Sequence, residues 1–205
     1  MRAVGLVILG LVAALLVWGF SSINAIPTKE ESARAAWAEV LNQYQRRAEL
    51  VPNLVATVKG AADFEKSTLE AVVEARAKVG SMQLTSDALT NPEAMRAFEA
   101  NQAALTSALS RLLVVAEQYP NLKATDGFKT LQAQLEGTEN RIAVARRDYI
   151  ETVRHYNTEL KTFPGVVWKS LLYADREPMQ QLQVDPAKQE VPTVDFGASG
   201  NTTGN

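Results

Sequence analysis

The sequence predicts an all-α protein: an N-terminal transmembrane helix, then an antiparallel bundle of three long helices, then a short C-terminal helix. Three observations carry that expectation. No charged residue stands between Arg2 and Lys29, and Ala3 to Phe20 reads AVGLVILGLVAALLVWGF. Apolar residues then recur at helical spacing through most of the chain, without the period-two patterning of strands. Pro, Gly, Ser, Thr and Asn dominate only after Asp185. Residues 1–27 are assigned to the anchor, 28–175 to the bundle and 176–205 to an extended, largely disordered tail.

An apolar run of ~18 residues, at ~1.5 Å rise per residue, crosses most of a ~30 Å hydrocarbon core. A cleaved signal peptide is the competing interpretation. Its apolar stretch is only ~7–15 residues long, and Ile23-Asn24-Ala25 is a marginal cleavage site. The chain has no cysteine, which excludes a lipid-modified N-terminal cysteine, disulfides and thiolate metal sites. Arg2 and the terminal amine before the run balance Lys29 and Arg34 after it. The cost of translocating a charged N-terminus favours leaving it in the cytoplasm. The expected location is the bacterial inner membrane, single-pass, with the bundle on the periplasmic side and the cytoplasmic side as the alternative.

The first helical segment keeps one apolar stripe from Trp37 through Tyr44, Val51, Val58 and Leu69 to Val79. Thr28 and Glu31 are spaced as a capping box and Gly80 stands at its end. The second begins at Asn91-Pro92, a cap followed by proline in the first turn, runs through Met95, Phe98, Leu105, Leu109 and Leu112, and ends before Tyr119-Pro120. The third follows Thr125-Asp126, carries Phe128, Leu135, Ile142, Tyr149, Val153 and Tyr156, and stops before Phe163-Pro164. Val166 to Tyr173 forms the short apolar fourth piece.

These lengths do not match, since ~1.5 Å per residue gives ~75, ~40 and ~55 Å for the three segments. Either the first helix breaks at Pro52 or its early turns project as a stalk. The stripe holds its phase from Val51 to Val55, which favours a kinked but continuous helix. Carbonyls near Ala48 then lose their usual donor, and Asn53 or a neighbouring arginine is expected to satisfy them.

NQYQRRAELVPNLVATVKG at 42–60, EARAKV at 74–79 and YPNLKATDGFKTLQAQLEGTENRIAVARRDYIETVRHYNTELKTFP at 119–164 strongly resemble the LemA family, in order and over roughly two thirds of the chain. The resemblance implies a membrane-anchored helical protein of unsettled molecular activity. The family includes a relative used in building magnetosome organelles, and its frequent association with membrane peptidases implies envelope assembly or quality control. Two departures stand out. Tyr149-Ile150 replaces a Tyr-Asn found in many relatives, and Ser21-Ser22 stands where some carry a lipoprotein-like cysteine.

The polar residues inside these strings are the candidate interaction or register network. Arg46 and Arg47 flank the stripe and are read as a solvated pair, with recognition of a carboxylate or phosphate as the alternative. Asn53 serves the Pro52 kink. Glu139, Asn140, Arg146 and Arg147 flank Ile142 and Ala145, with Glu139 and Arg146 on one face. A network between these and Arg46 or Arg47 fixes register rather than adding much stability. Asn157 beside Tyr156 is read the same way. Val166, Trp168, Leu171 and Leu172 are the candidate apolar contact patch. It packs on the open end of the bundle, binds a partner or lies in the membrane interface.

Catalysis finds no support. His155 is the one histidine, and Thr152 stands where a Glu-x-x-His iron motif needs glutamate. No nucleophile elbow, phosphate-binding glycine loop or zincin motif is present, so neither metal nor cofactor is expected. A net charge of -2, with bases interleaved among acids, gives no footprint for nucleic acid. The remaining readings are a non-enzymatic scaffold or adaptor, binding itself or a protein such as a membrane peptidase, and a bundle that acts on lipid.

Overall fold

The computed structural model describes residues 22–60, 64–81 and 86–183, with the isolated Gly10 and Gly19. The transmembrane segment expected over 1–27 lies largely outside them. Among the described residues no helix is long and apolar enough to cross a membrane. Six α-helices and one 3-10 turn, Ser86–Leu89, make up the regular structure, with no strand among the described residues. The helices are α1 (Ala25–Lys59), α2 (Lys66–Gly80), α3 (Pro92–Ala116), α4 (Pro120–Ala124), α5 (Asp126–Glu159) and α6 (Gly165–Leu172).

The long helices follow a heptad pattern. Buried positions of α1 run Ile26, Glu30, Ala33, Trp37, Val40, Tyr44, Arg47 and Val51, alternating steps of four and three. Met95, Phe98, Gln102, Leu105, Leu109 and Leu112 do the same in α3. A seam of this period stays on one face when helices cross at about 20°. Helix α5 runs antiparallel to α1, with Trp37 against Tyr149 and Arg47 against Glu139. Helix α3 runs parallel to α1, with Trp37 against Phe98 near one end and Val55 and Leu112 in one core toward the other.

That parallel pairing corrects the simple three-helix antiparallel plan. The first helical segment does not continue to Gly80: α1 passes through Pro52 without a break but ends at Lys59, and α2 folds back. Glycine at position 60 weakens helix propagation there. Folding back lets Leu69, Val72 and Ala75 bury against α3 and the distal part of α1, where a straight extension would have overshot α5. Pairing a 35-residue α1 with a 34-residue α5 resolves the length mismatch, with no stalk, because Ile26 in the first turn is already in the core.

The expected caps hold at two helices. Asn91 Oδ1 accepts from the backbone N–H groups of Glu93 and Ala94, at 2.9 and 3.2 Å. Thr125 Oγ1 accepts from the Phe128 N–H at 3.4 Å. The Thr28/Glu31 capping box does not form: α1 starts earlier, at Ala25, and Thr28 lies inside it. Pro27 is tolerated there because first-turn N–H groups have no intrahelical partner.

The core is in two parts. A proximal cluster, at the Ser22 end, joins Ile26 to Tyr44 of α1 with Ile142 to Tyr156 of α5, Met95 and Phe98 of α3, Leu89, Leu160, Met179 and Leu182. A distal cluster joins Val51 to Val58 with α2, the later half of α3, Leu122, Phe128 and Leu135. The fourth position of the bundle is thus shared between α2 at the distal end and an extended strap, residues 176–183, at the proximal end. The strap corrects the expectation of a loose tail from 176, whereas residues 184–205 lie outside the described residues.

Candidate functional site

Arg47 sits at the boundary of the two clusters and is 1 % exposed. Its Nη1 donates to Thr106 Oγ1 at 2.7 Å and Glu139 Oε1 at 2.8 Å. Its Nη2 donates to Gln102 Oε1 at 2.6 Å and to the Gln102 carbonyl at 3.2 Å. The guanidinium lies 5.0 Å from the Tyr44 ring centre. One α1 side chain therefore reads α3 and α5 together, in fork geometry that a lysine could not reproduce. A buried charge is costly unless paired, so any slip of one helix by a turn would strand it.

The neighbouring candidates separate from it. Arg46 is exposed on the outer face of α1, as are Asn53 on α1 and Asn140 on α5. Arg147 is exposed and lies 3.7 Å from its neighbour Asp148. The freed carbonyl of Ala48, one turn before Pro52, accepts from Arg76 Nε at 3.1 Å. Arg76 of α2 thus takes the role expected of Asn53 or of an arginine beside the kink.

Arg146 and Asn157 grip the strap. Arg146 donates to Tyr44 Oη at 2.9 Å and to the Gln183 carbonyl at 2.6 Å, while Glu99 Oε1 accepts from the Gln183 N–H at 2.7 Å. Asn157 donates from Nδ2 to the Met179 carbonyl at 2.8 Å and accepts on Oδ1 from the Met179 N–H at 2.9 Å. Between them Tyr149 donates to the Gln180 carbonyl at 2.7 Å, and Tyr156 to that of Glu177 at 3.2 Å. Burial raises the Tyr149 phenol well above its ordinary range, helped by the charge of Glu99. Burial, with Glu30 beside it, pushes Tyr156 up to about 12. Both remain donors at physiological pH.

Sequence reasoning missed Gln102, Thr106, Glu99, Tyr44 and Arg76 as network members. Gln102 had a signal, since a polar residue occupies a stripe position between Phe98 and Leu105. Arg76 had one in the EARAKV string.

The apolar candidates divide. Trp168 packs against the proximal cluster and donates from Nε1 to Ser22 Oγ at 2.8 Å. Val166, Leu171 and Leu172 are exposed on α6. At the distal end a cleft of about 560 Å³ is lined by Thr57, Gly60, Tyr119, Pro120, Asn121 and Leu122, so that two of the quoted strings meet there. No cluster of three or more potential metal ligands occurs among the described residues. His155 is on the solvent face, 3.6 Å from Glu151.

A family model described as the LemA family matches residues 36–196, a span that takes in the Arg47 layer, the strap and α6. The chain is also similar to magnetosome proteins. It is 27% identical over 157 residues to "Magnetosome protein MamQ" of Magnetospirillum gryphiswaldense, covering 69% of this chain and 58% of that protein. It is 37% identical over 67 residues to "Magnetosome protein MamQ 1" and "Magnetosome protein MamQ 2" of Paramagnetospirillum magneticum, covering 33% of this chain and 24% of each. The chain thus spans about a quarter of the latter relatives' length.

Proposed function

The chain belongs to the LemA family, and from that premise we propose that it is a non-enzymatic, membrane-anchored scaffold or adaptor of the bacterial cell envelope. The observation that carries this reading is the continuity of α1. The Ser22–Asn24 turn leads from the end of the apolar run straight into a 35-residue helix, about 50 Å long. Arg47 locks that helix in register against α3 and α5. Such an arm holds a binding surface at a fixed distance from a bilayer. In this reading the apolar run spans the inner membrane once and the bundle stands on the periplasmic side. Relatives named as magnetosome proteins support a part in assembling a cellular structure. The expected partner is a second copy or an envelope protein such as a membrane peptidase. A second reading, a bundle that itself organises lipid, draws on the exposed aliphatic side chains of α6.

The test is site-specific photo-crosslinking of the full-length chain in its native host, with the probe at Asn121 in the distal cleft, or at Val114 or Val144, each exposed on a bundle face. The scaffold reading expects a discrete adduct with itself or one envelope protein from at least one position. It fails if all three positions give no protein adduct while another membrane complex crosslinks in the same cells.

A further inference from the structure

Eight large hydrophobic side chains are exposed among the described residues, and five of them, Phe163, Val166, Val167, Leu171 and Leu172, fall within the ten residues from 163 to 172. Leu171 is 68% exposed and Leu172 57%. Monomeric domains rarely display such a cluster without a use for it.

Its place in the fold identifies what covers it. Trp168, one turn before Leu171 and Leu172 on α6, hydrogen-bonds Ser22, two residues beyond the end of the apolar run. Ser22 Oγ in turn donates to the carbonyl of Gly19 at 2.6 Å. A Cβ placed on Gly19 would stand 3.9 Å from Trp168 Cζ2. Helix α6 is therefore fastened, through Trp168, to the chain at Gly19 and Ser22, where the apolar run ends.

We propose that α6 is a second membrane foot: its Val166, Val167, Leu171 and Leu172 side chains enter the bilayer interface beside the N-terminal span. The proposal rests on the reading of the apolar run as a span. Trp168 and Tyr173, half-buried with polar tips, then stand at headgroup depth, where such side chains are favoured. Lys161 and Lys169 flank the foot, but Asp175 and Glu177 stand close by in sequence, so apolar insertion rather than attraction to anionic lipid holds it. A single helix can tilt and rotate in a bilayer, whereas a helix with a foot beside it fixes the direction in which the bundle points.

The absence of cysteine from the chain makes the test direct. Full-length Leu171→Cys, Leu11→Cys and Val73→Cys variants each carry one environment-sensitive fluorophore, in nanodiscs of phosphatidylcholine with or without phosphatidylglycerol. The label at 171 is expected to shift to the blue, to be quenched by lipids brominated near the headgroup end of the acyl chain, and to resist aqueous iodide several-fold better than the label at 73. The label at 11 is expected to respond to deeply brominated lipid. If position 11 responds and position 171 behaves like 73, the foot is refuted with the span intact. If position 11 fails to respond, the span reading falls and the foot with it. A label at 171 shielded from both brominated lipid and iodide means that protein covers the patch, which also overturns the proposal.

Discussion

Arg47 and Arg46 are adjacent in sequence and opposite in consequence, and exchanging each for alanine measures the difference. Arg47→Ala strands the Gln102 side-chain oxygen, while the Thr106 hydroxyl keeps its 3.0 Å bond to the Gln102 carbonyl, and it opens a cavity where a side chain is 1 % exposed. Removing one partner from a buried charged network costs about 3–5 kcal/mol, and we take about 3 here because Glu139, at 43% side-chain exposure, recovers water. At about 2–4 °C per kcal/mol for a domain of this size, the melting temperature falls by about 10 °C. Glu139→Ala leaves the buried Arg47 guanidinium without its carboxylate partner, a loss of about 3 kcal/mol. Arg46→Ala, on the exposed face, changes stability by less than about 0.5 kcal/mol. The assay is thermal unfolding of the full-length chain in mild detergent, followed by circular dichroism. An Arg47→Ala protein that melts within about 2 °C of the parent would refute the assignment of Arg47 as the register pin. The pair Arg47→Met with Gln102→Leu replaces the buried polar contacts by apolar ones, and most of the lost stability is expected to return. What should not return is uniqueness of register, read as a broader distance distribution between spin labels on α1 and α5.

Four further outcomes are expected. Asn157→Ala removes both bonds that clip Met179, so the strap loosens by about 1–3 kcal/mol; the Met179 amide should exchange hydrogen faster while α5 amides do not. Gly165→Ala places a Cβ 2.1 Å from the Glu159 carbonyl oxygen and should destabilise by about 1–3 kcal/mol. Gly137→Ala, with its nearest neighbour an ordinary 3.6 Å away, should stabilise α5 by about 0.5–1 kcal/mol in the same melting assay. Because burial raises the Tyr149 and Tyr156 phenols in the folded state, the unfolded chain releases these protons first as pH rises. Their stability contribution is intact below the ordinary value of 10.0 and is lost as pH climbs through about 12 for Tyr156. Phenolate absorbance should therefore rise with unfolding rather than before it at these two residues, and Tyr156→Phe should weaken that alkaline transition.

The long stripes, the Asn91 and Thr125 caps and the passage of α1 through Pro52 were legible because each is a local pattern with a local cause. The break at Gly60 was not, since Ala62 and Leu69 fall on the same helical face as Val58 and hide the fold-back. The distinction between Arg46 and Arg47 was legible in the spacing, since steps of three and four from Val40 through Tyr44 to Val51 put Arg47 and not Arg46 on the seam. What the spacing hid is that Gln102 and Thr106 on another helix receive the guanidinium. The strap could not be read at all. Among residues 176–183 only Met179 and Leu182 are buried and Arg176 pairs with Glu30 at 3.2 Å, while most of the remaining hold is on backbone groups, bound by Arg146, Tyr149, Tyr156, Asn157 and Glu99. A backbone carbonyl carries no residue identity, so such a grip leaves no pattern in the segment gripped.

The division of labour among the polar residues bears on where a partner can bind. Arg47, Arg146 and Asn157 stood out as candidates for recognition, and the fold commits all three to internal contacts. The Arg47 layer lies where the two core clusters meet, and its bonds tie the half at the Ser22 end to the distal half at that level. Locking that level turns two short packed units into one lever. A lever of this kind transmits position, and its useful surfaces are at its ends: the α6 face beside Ser22 at one, and at the other the cleft between Thr57 and Tyr119. Substitutions at the Arg47 layer should then weaken partner capture only in proportion to the register they lose. Substitutions lining the distal cleft, such as Asn121→Ala, should affect capture with the melting temperature unchanged.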